Sequence, residues 1–407
     1  MVQKLIGLTL HIVSSALVVT GVFQTYNVGQ NNAPLGKIAI DKRTGYLYIG
    51  GQNILLQLYG NLSVINELSV GPLIDNPLCF PYPEICAYTR ELTNNKIHVL
   101  AINQQSEYLL ACGTVNHGLC SAYSLSDIGA MNRTLNPRIA TNNIVGSVNS
   151  NSFSNSYAFF GATHSSMASS NDLVLYVGMG TANQSLEFTP ALISTREVDY
   201  LSDPWNMEYF VDSKTSSSFK DIHDNSVRKS FRSYYIYGFE KKGYTYFVSV
   251  QMNDPSGFEA KKNKFVTKII QICQDDIKYS SYTELPIQCV VGDQKYHIAT
   301  SARLSDHGYL PFSNYEYLYI TFGKQDSLDP NPDKNSGSVL CTFELNKIIA
   351  KFEKLQKDCF SYGSANEVAW SIPSRANVQP CHIDVSICCH MAVIYVGHII
   401  NEGLLWP

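Results

Sequence analysis

Five short runs constrain this chain more than any other feature. They are "GYLYIGG" (residues 45–51), "EYLLACG" (107–113), "LVLYVGM" (173–179), "YTYFVSV" (244–250) and "YEYLYITFG" (315–323). Each is aromatic and aliphatic with a turn signal on at least one side, and they recur at intervals of roughly sixty to seventy residues. A repeat of this kind points to an array of similar hairpin-rich sheets. Partner strands flank each run. "KIAIDKRTGYLYIGGQNILLQL" reads as three antiparallel strands with turns at "DKRTG" and "GGQN", and the segments beginning "KIHVLAIN" and "SYYIYGF" repeat that plan. A β-propeller accounts for this better than a sandwich. The period exceeds the usual ~40–50 residues of simple propeller repeats, so long loops must be inserted; residues 142–156 and 212–226 have the composition for it. One amphipathic helix is predicted, over residues 344–358. The alternative is an irregular all-β chain without a true repeat.

Composition narrows the function classes. Of the 407 residues, 45% are hydrophobic and 16% charged, so a sizeable core is available. A net charge of −4 offers no basic face for a nucleic acid. The 26 tyrosines, with many Ser, Thr, Asn and Gly, favour strands and turns. At the N-terminus, Lys4 precedes an apolar run from Leu5 to Phe23. This reads as a secretory signal peptide over residues 1–21, cleaved after Gly21, with an uncleaved anchor or a buried strand as the alternative. Export makes disulfides, rather than metal clusters, the expected state of the eleven cysteines. Three sequons agree with export: Asn61 in "NLS", Asn132 in "NRT" and Asn183 in "NQS".

The chemical motifs are weak by comparison. "CHIDVSICCH" (381–390) packs Cys and His together, but Cys388 and Cys389 are adjacent and the paired spacing of a structural zinc site is missing. "DPNPDKNSG" offers Asp329, Asn331 and Asp333 to a calcium ion, yet Lys334 and Leu340 stand where an EF-hand loop needs Gly and Glu. No G-x-S-x-G elbow occurs. His117 lies between Cys112 and Cys120 in "LLACGTVNHGLC" and would serve as a base only beside a free thiol; a disulfide staple with His117 as a turn residue is the simpler reading. Carboxylate pairs such as Asp275 and Asp276 leave a propeller glycoside hydrolase as the enzyme alternative.

Taken together, these residues resemble the sema domains of the plexin family. "LLACGTVNHGLC" looks like the Cys-Gly-Thr/Ser…Cys element of sema domains, and "TKIIQICQDDIKYSSYTELPIQC" (267–289) is similar to a plexin stretch of a basic strand, Cys, two Asp, Tyr-Ser-Tyr, Pro and Cys. "GPLIDNPLCFPYPEIC" (71–86), the opening hairpin through Asn61, and "GSVLCTFELNKIIAKFEKLQKDC" (337–359) resemble plexin segments as well. The resemblance covers about residues 35–390. It implies an all-β, seven-bladed propeller over residues 22–390 with an incomplete last blade, followed by a divergent tail at 391–407. The implied bridges are Cys79–Cys86, Cys112–Cys120, Cys273–Cys381, Cys289–Cys341 and Cys359–Cys388, with Cys389 left over. The implied role is a semaphorin receptor ectodomain in axon guidance and cell migration. Its partner is a semaphorin, with a co-receptor or second plexin chain beside it. No catalysis, cofactor, nucleic acid or small-molecule substrate is implied. The implied location is the secretory pathway and the outer side of the plasma membrane. A semaphorin-type ligand shares the propeller and stands as the nearer alternative. Plexins continue into further extracellular modules, a membrane span and a cytoplasmic region, so a chain ending at Pro407 is expected to bind ligand without relaying a signal, as a truncated or misjoined product would.

Overall fold

The structure is a computed structural model. It describes residues 34–76, 86–134, 156–162, 173–180, 192–199, 206–209, 232–252, 265–274, 281–305, 316–325 and 332–362, apart from 117, 131 and 334, together with Cys79 and Val145. Among the described residues the chain forms five meandering antiparallel blades, numbered here in chain order. Blade 1 holds β1 (Leu35–Ile40), β2 (Leu47–Gly51), β3 (Ile54–Leu58) and β4 (Val64–Ser69). A hairpin of β5 (Leu73–Asp75) and β6 (Glu91–Thr93) follows. Blade 2 comprises β7 (Val99–Asn103), β8 (Tyr108–Cys112), β9 (Cys120–Ser124) and β10 (Asn132–Thr134). Blade 3 contains β11 (Tyr157–Gly161), β12 (Val174–Gly178), β13 (Ile193–Asp199) and β14 (Asn206–Tyr209). Blade 4 is built from β15 (Ser233–Lys241), β16 (Tyr244–Met252), β17 (Phe265–Cys273) and β18 (Thr283–Ile287). After a second hairpin, β19 (Cys289–Val291) with β20 (Gln294–Tyr296), blade 5 runs through β21 (Ile298–Leu304), β22 (Tyr317–Gly323) and β23 (Ser338–Glu344) into helix α1 (Leu345–Tyr362). The remainder of the expected seven-bladed ring, the incomplete last blade and the two expected long loops (but for Val145 and Ser156) lie outside the described residues.

The recurring runs now have a physical meaning: β2, β8, β12, β16 and β22 are each the second strand of a blade. A second strand is hydrogen-bonded on both edges and packed on both faces, so it is apolar throughout rather than alternating. Strand β12 shows this directly. Val174 and Tyr176 pack towards blade 4 with Tyr235 and Phe247, while Leu175 and Val177 pack towards blade 2 with Val99 and Leu110. Strand β8 does the same, with Leu109 and Ala111 facing blade 1 and Leu110 facing blade 3. Burying each such side chain is worth about 1.5–3 kcal/mol. The layers approach closely enough that a Cβ on Gly178 would lie 2.4 Å from the Tyr235 ring. No other residue type fits there without moving blade 4.

Each blade's first strand lies beside its neighbour's, in the order β1, β7, β11, β15, β21, which is the arrangement of strands around a propeller axis. Helix α1 closes blade 5. It begins one residue later than the sequence reading and continues past it to Tyr362. Its buried residues Leu345, Ile348, Ile349 and Phe352 follow the i, i+3, i+4, i+7 pattern of one helical face. They join the core of blades 4 and 5, with Phe352 against the Tyr246 ring at 6.1 Å.

Candidate functional site

The first strands line a concave space, here called the channel, of about 1050 Å³. Its two ends carry different side chains, the far one mixing Asp41 and Glu240 with Lys42 and Arg303. At the end where the first strands begin, Lys37 Nζ donates to the Ser156 carbonyl at 3.2 Å, and His98 lies alongside. Burial, with Lys96 nearby, lowers the Lys37 pKa to about 8. Burial and the neighbouring Lys37 and Lys96 push His98 down to about 3, so its imidazole is neutral at physiological pH. Its Nδ1 is buried without a hydrogen-bond partner. At the far end stand the channel's carboxylates. Asp41 accepts from the Arg43 backbone N–H, the Thr44 hydroxyl and Gln104 Nε2. Glu240 accepts from the Ala162 N–H and Gln274 Nε2 at 2.8 and 2.9 Å. Both carboxylates thus hold turns and neighbouring blades together. Glycoside hydrolysis would need one of them as an acid and the other as a nucleophile or base.

A second constellation surrounds the "CGT" of blade 2. Cys112 and Cys120 sit directly opposite each other in the β8–β9 register and form a disulfide. Gly113 is required by Asn95, whose Oδ1 would lie 1.8 Å from any Cβ placed there. That oxygen accepts the Thr114 N–H at 2.9 Å, while Asn95 Nδ2 donates to the Val70 carbonyl at 2.9 Å. The Asn95 N–H in turn donates to Asn53 Oδ1. One buried amide therefore ties the end of blade 1 to the corner of blade 2. Thr114 Oγ1 accepts the Lys96 N–H, and Asp75 of the β5–β6 hairpin accepts the Asn116 N–H at 2.9 Å. The corner fixes how two blades meet, and neither Cys112 nor Cys120 is a free thiol, because the two sulfurs are bonded to each other. His117 lies outside the described residues.

The same fold is found among known proteins. The solved extracellular region of plexin A4 superposes with a TM-score of 0.66 at 23% identity, covering 89% of this chain and 41% of that one. No family model matches the sequence. Individual relatives do: human Plexin-A4 is 28% identical over 352 residues, 82% of this chain. Zebrafish (Danio rerio) Plexin-A4 is 26% identical over 366 residues (86% of this chain), and mouse Plexin-A2 25% over 382 (90%). The chain is similar to the plexins. It spans about a fifth of the length of these relatives, 18% of both Plexin-A4 chains and 19% of Plexin-A2.

In this plexin-like chain the structure closes three bridges outright: Cys79–Cys86, Cys112–Cys120 and Cys289–Cys341. The third fastens the β19–β20 hairpin to β23 of blade 5. Cys273, the last residue of β17, is disulfide-bonded as well. Cys381, Cys388 and Cys389 lie outside the described residues, as does the side chain of Cys359 in α1. So do Asp275, Asp276, Asp329, Asn331 and the whole "CHIDVSICCH" segment. Asp333 is placed: it accepts the Asn335 N–H at 2.8 Å, as a turn residue does. Of the sequons, Asn61 is exposed in the β3–β4 turn and Asn132 begins β10, while Asn183 lies outside the described residues. Sequence reasoning missed Asn95 and the channel pair Lys37 and His98. Asn95 carried one faint signal, an Asn-Asn dipeptide in a turn-rich stretch.

Proposed function

We propose that this chain is the ligand-binding portion of a plexin-type cell-surface receptor, with a semaphorin as its protein partner and roles in axon guidance and cell migration. The observation that carries the reading is the sequence match to several plexins over 82–90% of the chain, at 25–28% identity. The reading places residues 22–390 in one sema propeller, exported behind the leader at 1–21 and followed by a separate tail. Two features of the molecule support binding over catalysis. Disulfides, one short-range and one long-range, hold hairpins outside the blades, which suits a surface that presents fixed loops to a partner. The channel carboxylates are engaged in structural hydrogen bonds.

The test uses the full chain, secreted from a eukaryotic cell line with its bridges closed. Immobilised semaphorin ectodomains of each class are the probes, read by surface plasmon resonance. Saturable binding to at least one class, abolished by reduction, is expected. Absence of binding to every class overturns the receptor reading, and turnover of a glycoside by the same material would replace it with a hydrolase.

A further inference from the structure

Residues 59–63 connect β3 to β4 through a turn that is built from its own side chains. The Tyr59 N–H donates to the Ser63 carbonyl at 2.9 Å, and the Leu62 N–H to the Tyr59 carbonyl at 2.9 Å. Leu62 adopts the left-handed backbone at φ 64°, a conformation uncommon outside glycine. The Asn61 side-chain carbonyl accepts twice, from the Ser63 N–H at 3.0 Å and the Ser63 hydroxyl at 2.6 Å. Its amide is thereby pinned by the oxygen, and Nδ2 makes no hydrogen bond among the described residues. All four bonds fall within five residues, so the turn forms from local sequence alone.

Tyr59 stands two residues before Asn61 and is 46% exposed, although it is one of the larger apolar side chains of blade 1. The ring is not loose. It meets Tyr46 edge-to-face, with centroids 5.5 Å apart and planes at 89°. An exposed aromatic ring braced by a neighbour, two residues from an exposed Asn, can serve as a platform for the apolar C–H face of a sugar. The other described sequon differs: Asn132 is a strand residue of β10, in register with Tyr123.

We propose that the turn at residues 59–63 is an N-glycan acceptor whose first sugar, linked to Asn61, is seated on the Tyr59 ring with Tyr46 as its buttress. The inference rests on the extracellular reading above, since the donor is a lipid pyrophosphate-linked oligosaccharide of the secretory pathway. In the transfer, Asn61 Nδ2 forms a bond to the sugar's anomeric carbon as the bond from that carbon to the pyrophosphate oxygen breaks. One Nδ2 proton leaves to a base of the transferase, and the lipid pyrophosphate departs. Donation by Ser63 to the amide oxygen polarises the amide and makes that proton easier to lose. The seated sugar then covers a ring the blade cannot bury and protects the left-handed turn from fraying. It also closes this edge of blade 1 to a protein partner.

The experiment takes the full chain secreted from a eukaryotic cell line and maps Asn61 occupancy by glycopeptide mass spectrometry. Its melting temperature is then compared with the glycan intact, trimmed to a single sugar, and removed entirely. Occupied Asn61 is expected, with the one-sugar form melting like the intact one. Complete removal should lower melting by about 2–4 °C. In Tyr59→Thr the trimmed and sugar-free forms should melt together, and in Tyr59→Phe the difference should persist; Asn61→Gln in the parent chain supplies the same sugar-free comparison without relying on either. Exported, correctly bridged protein that is unmodified at Asn61 overturns the inference while leaving the receptor reading intact. A removal effect equal with and without the Tyr59 ring overturns the seat. Failure to be exported with closed bridges counts instead against the extracellular reading.

Discussion

Blades 2 and 4 solve one problem by different means. Blade 2 has first, second and third strands of five residues each, and a disulfide joins directly opposite residues of β8 and β9. Blade 4 has three strands of nine residues and no bridge within it among the described residues. Instead it buries an ion pair, Lys268 Nζ with Glu284 Oε2, at 1% and 3% side-chain exposure. Gln251 Nε2 and the Tyr282 hydroxyl donate to the other Glu284 oxygen. The network therefore crosses β16, β17 and β18. Long apolar strands are vulnerable to a slip of two residues, because such a slip keeps every side chain on its own face. Hydrophobic pattern does not oppose it. A buried charge that finds its partner in one register only does oppose it, at the expense of desolvation. Blade 2 is short, and a covalent bond suffices there.

Breaking the blade 4 device should give the largest effect. Glu284→Leu leaves Lys268 buried without its counter-charge and is expected to cost about 3–5 kcal/mol, measured by urea unfolding. The paired change Lys268→Met with Glu284→Leu should recover most of that stability. If the ion pair selects register, the double variant will show broadened or doubled NMR resonances for β16–β18 despite normal stability. A cost below ~1 kcal/mol for the single change would place the pair in solvent and end the comparison.

Removing the blade 2 staple with Cys112→Ser and Cys120→Ser should cost about 2.5 kcal/mol on the loop-entropy estimate, because it frees only a short ring. A melting shift confined to blade 2 amides in hydrogen exchange would show that the staple acts locally. Global loss of protection would show that the Asn95 corner depends on it.

The smallest effect separates the blades by pH. His98, next to β7 of blade 2, has its folded pKa depressed to about 3 against an unfolded value near 6.5. Below pH 6.5 the unfolded chain binds a proton that the folded chain refuses, so stability falls as pH falls through that range and levels off near pH 3. From pH 7 to pH 5 the loss is about 2 kcal/mol. Thermal melts of the parent and His98→Gln at both pH values should show that increment in the parent only.

The sequence made the second strands legible because burial on both faces writes itself as an uninterrupted apolar run. Helix α1 was legible because its buried face keeps helical spacing. What was not legible is non-local and polar. Gly113 reads as a turn glycine until Asn95, nineteen residues before Thr114, is seen to fill its place. Lys268 reads as an exposed charge on a basic strand, and only the β17–β18 register brings Glu284 to it. The fully buried Arg196, whose Nε donates to Ser194, escaped notice for the same reason. The β5–β6 and β19–β20 hairpins are three residues per strand, too short for a periodic signal. The Cys112 and Cys120 spacing suggested a staple, whereas the side chains that set the angle between blades 1 and 2 left almost no trace.

The bridge from Cys289 to Cys341 has a mechanical side. It encloses a sequence separation of 52 residues, which free chain would stretch to about 180 Å. Under tension across the chain, that contour length is withheld: blade 5 can yield, yet the molecule lengthens as though most of the blade were missing. A propeller tied in this way resists being drawn out into a long tether, and its hairpins stay close to the blades they leave.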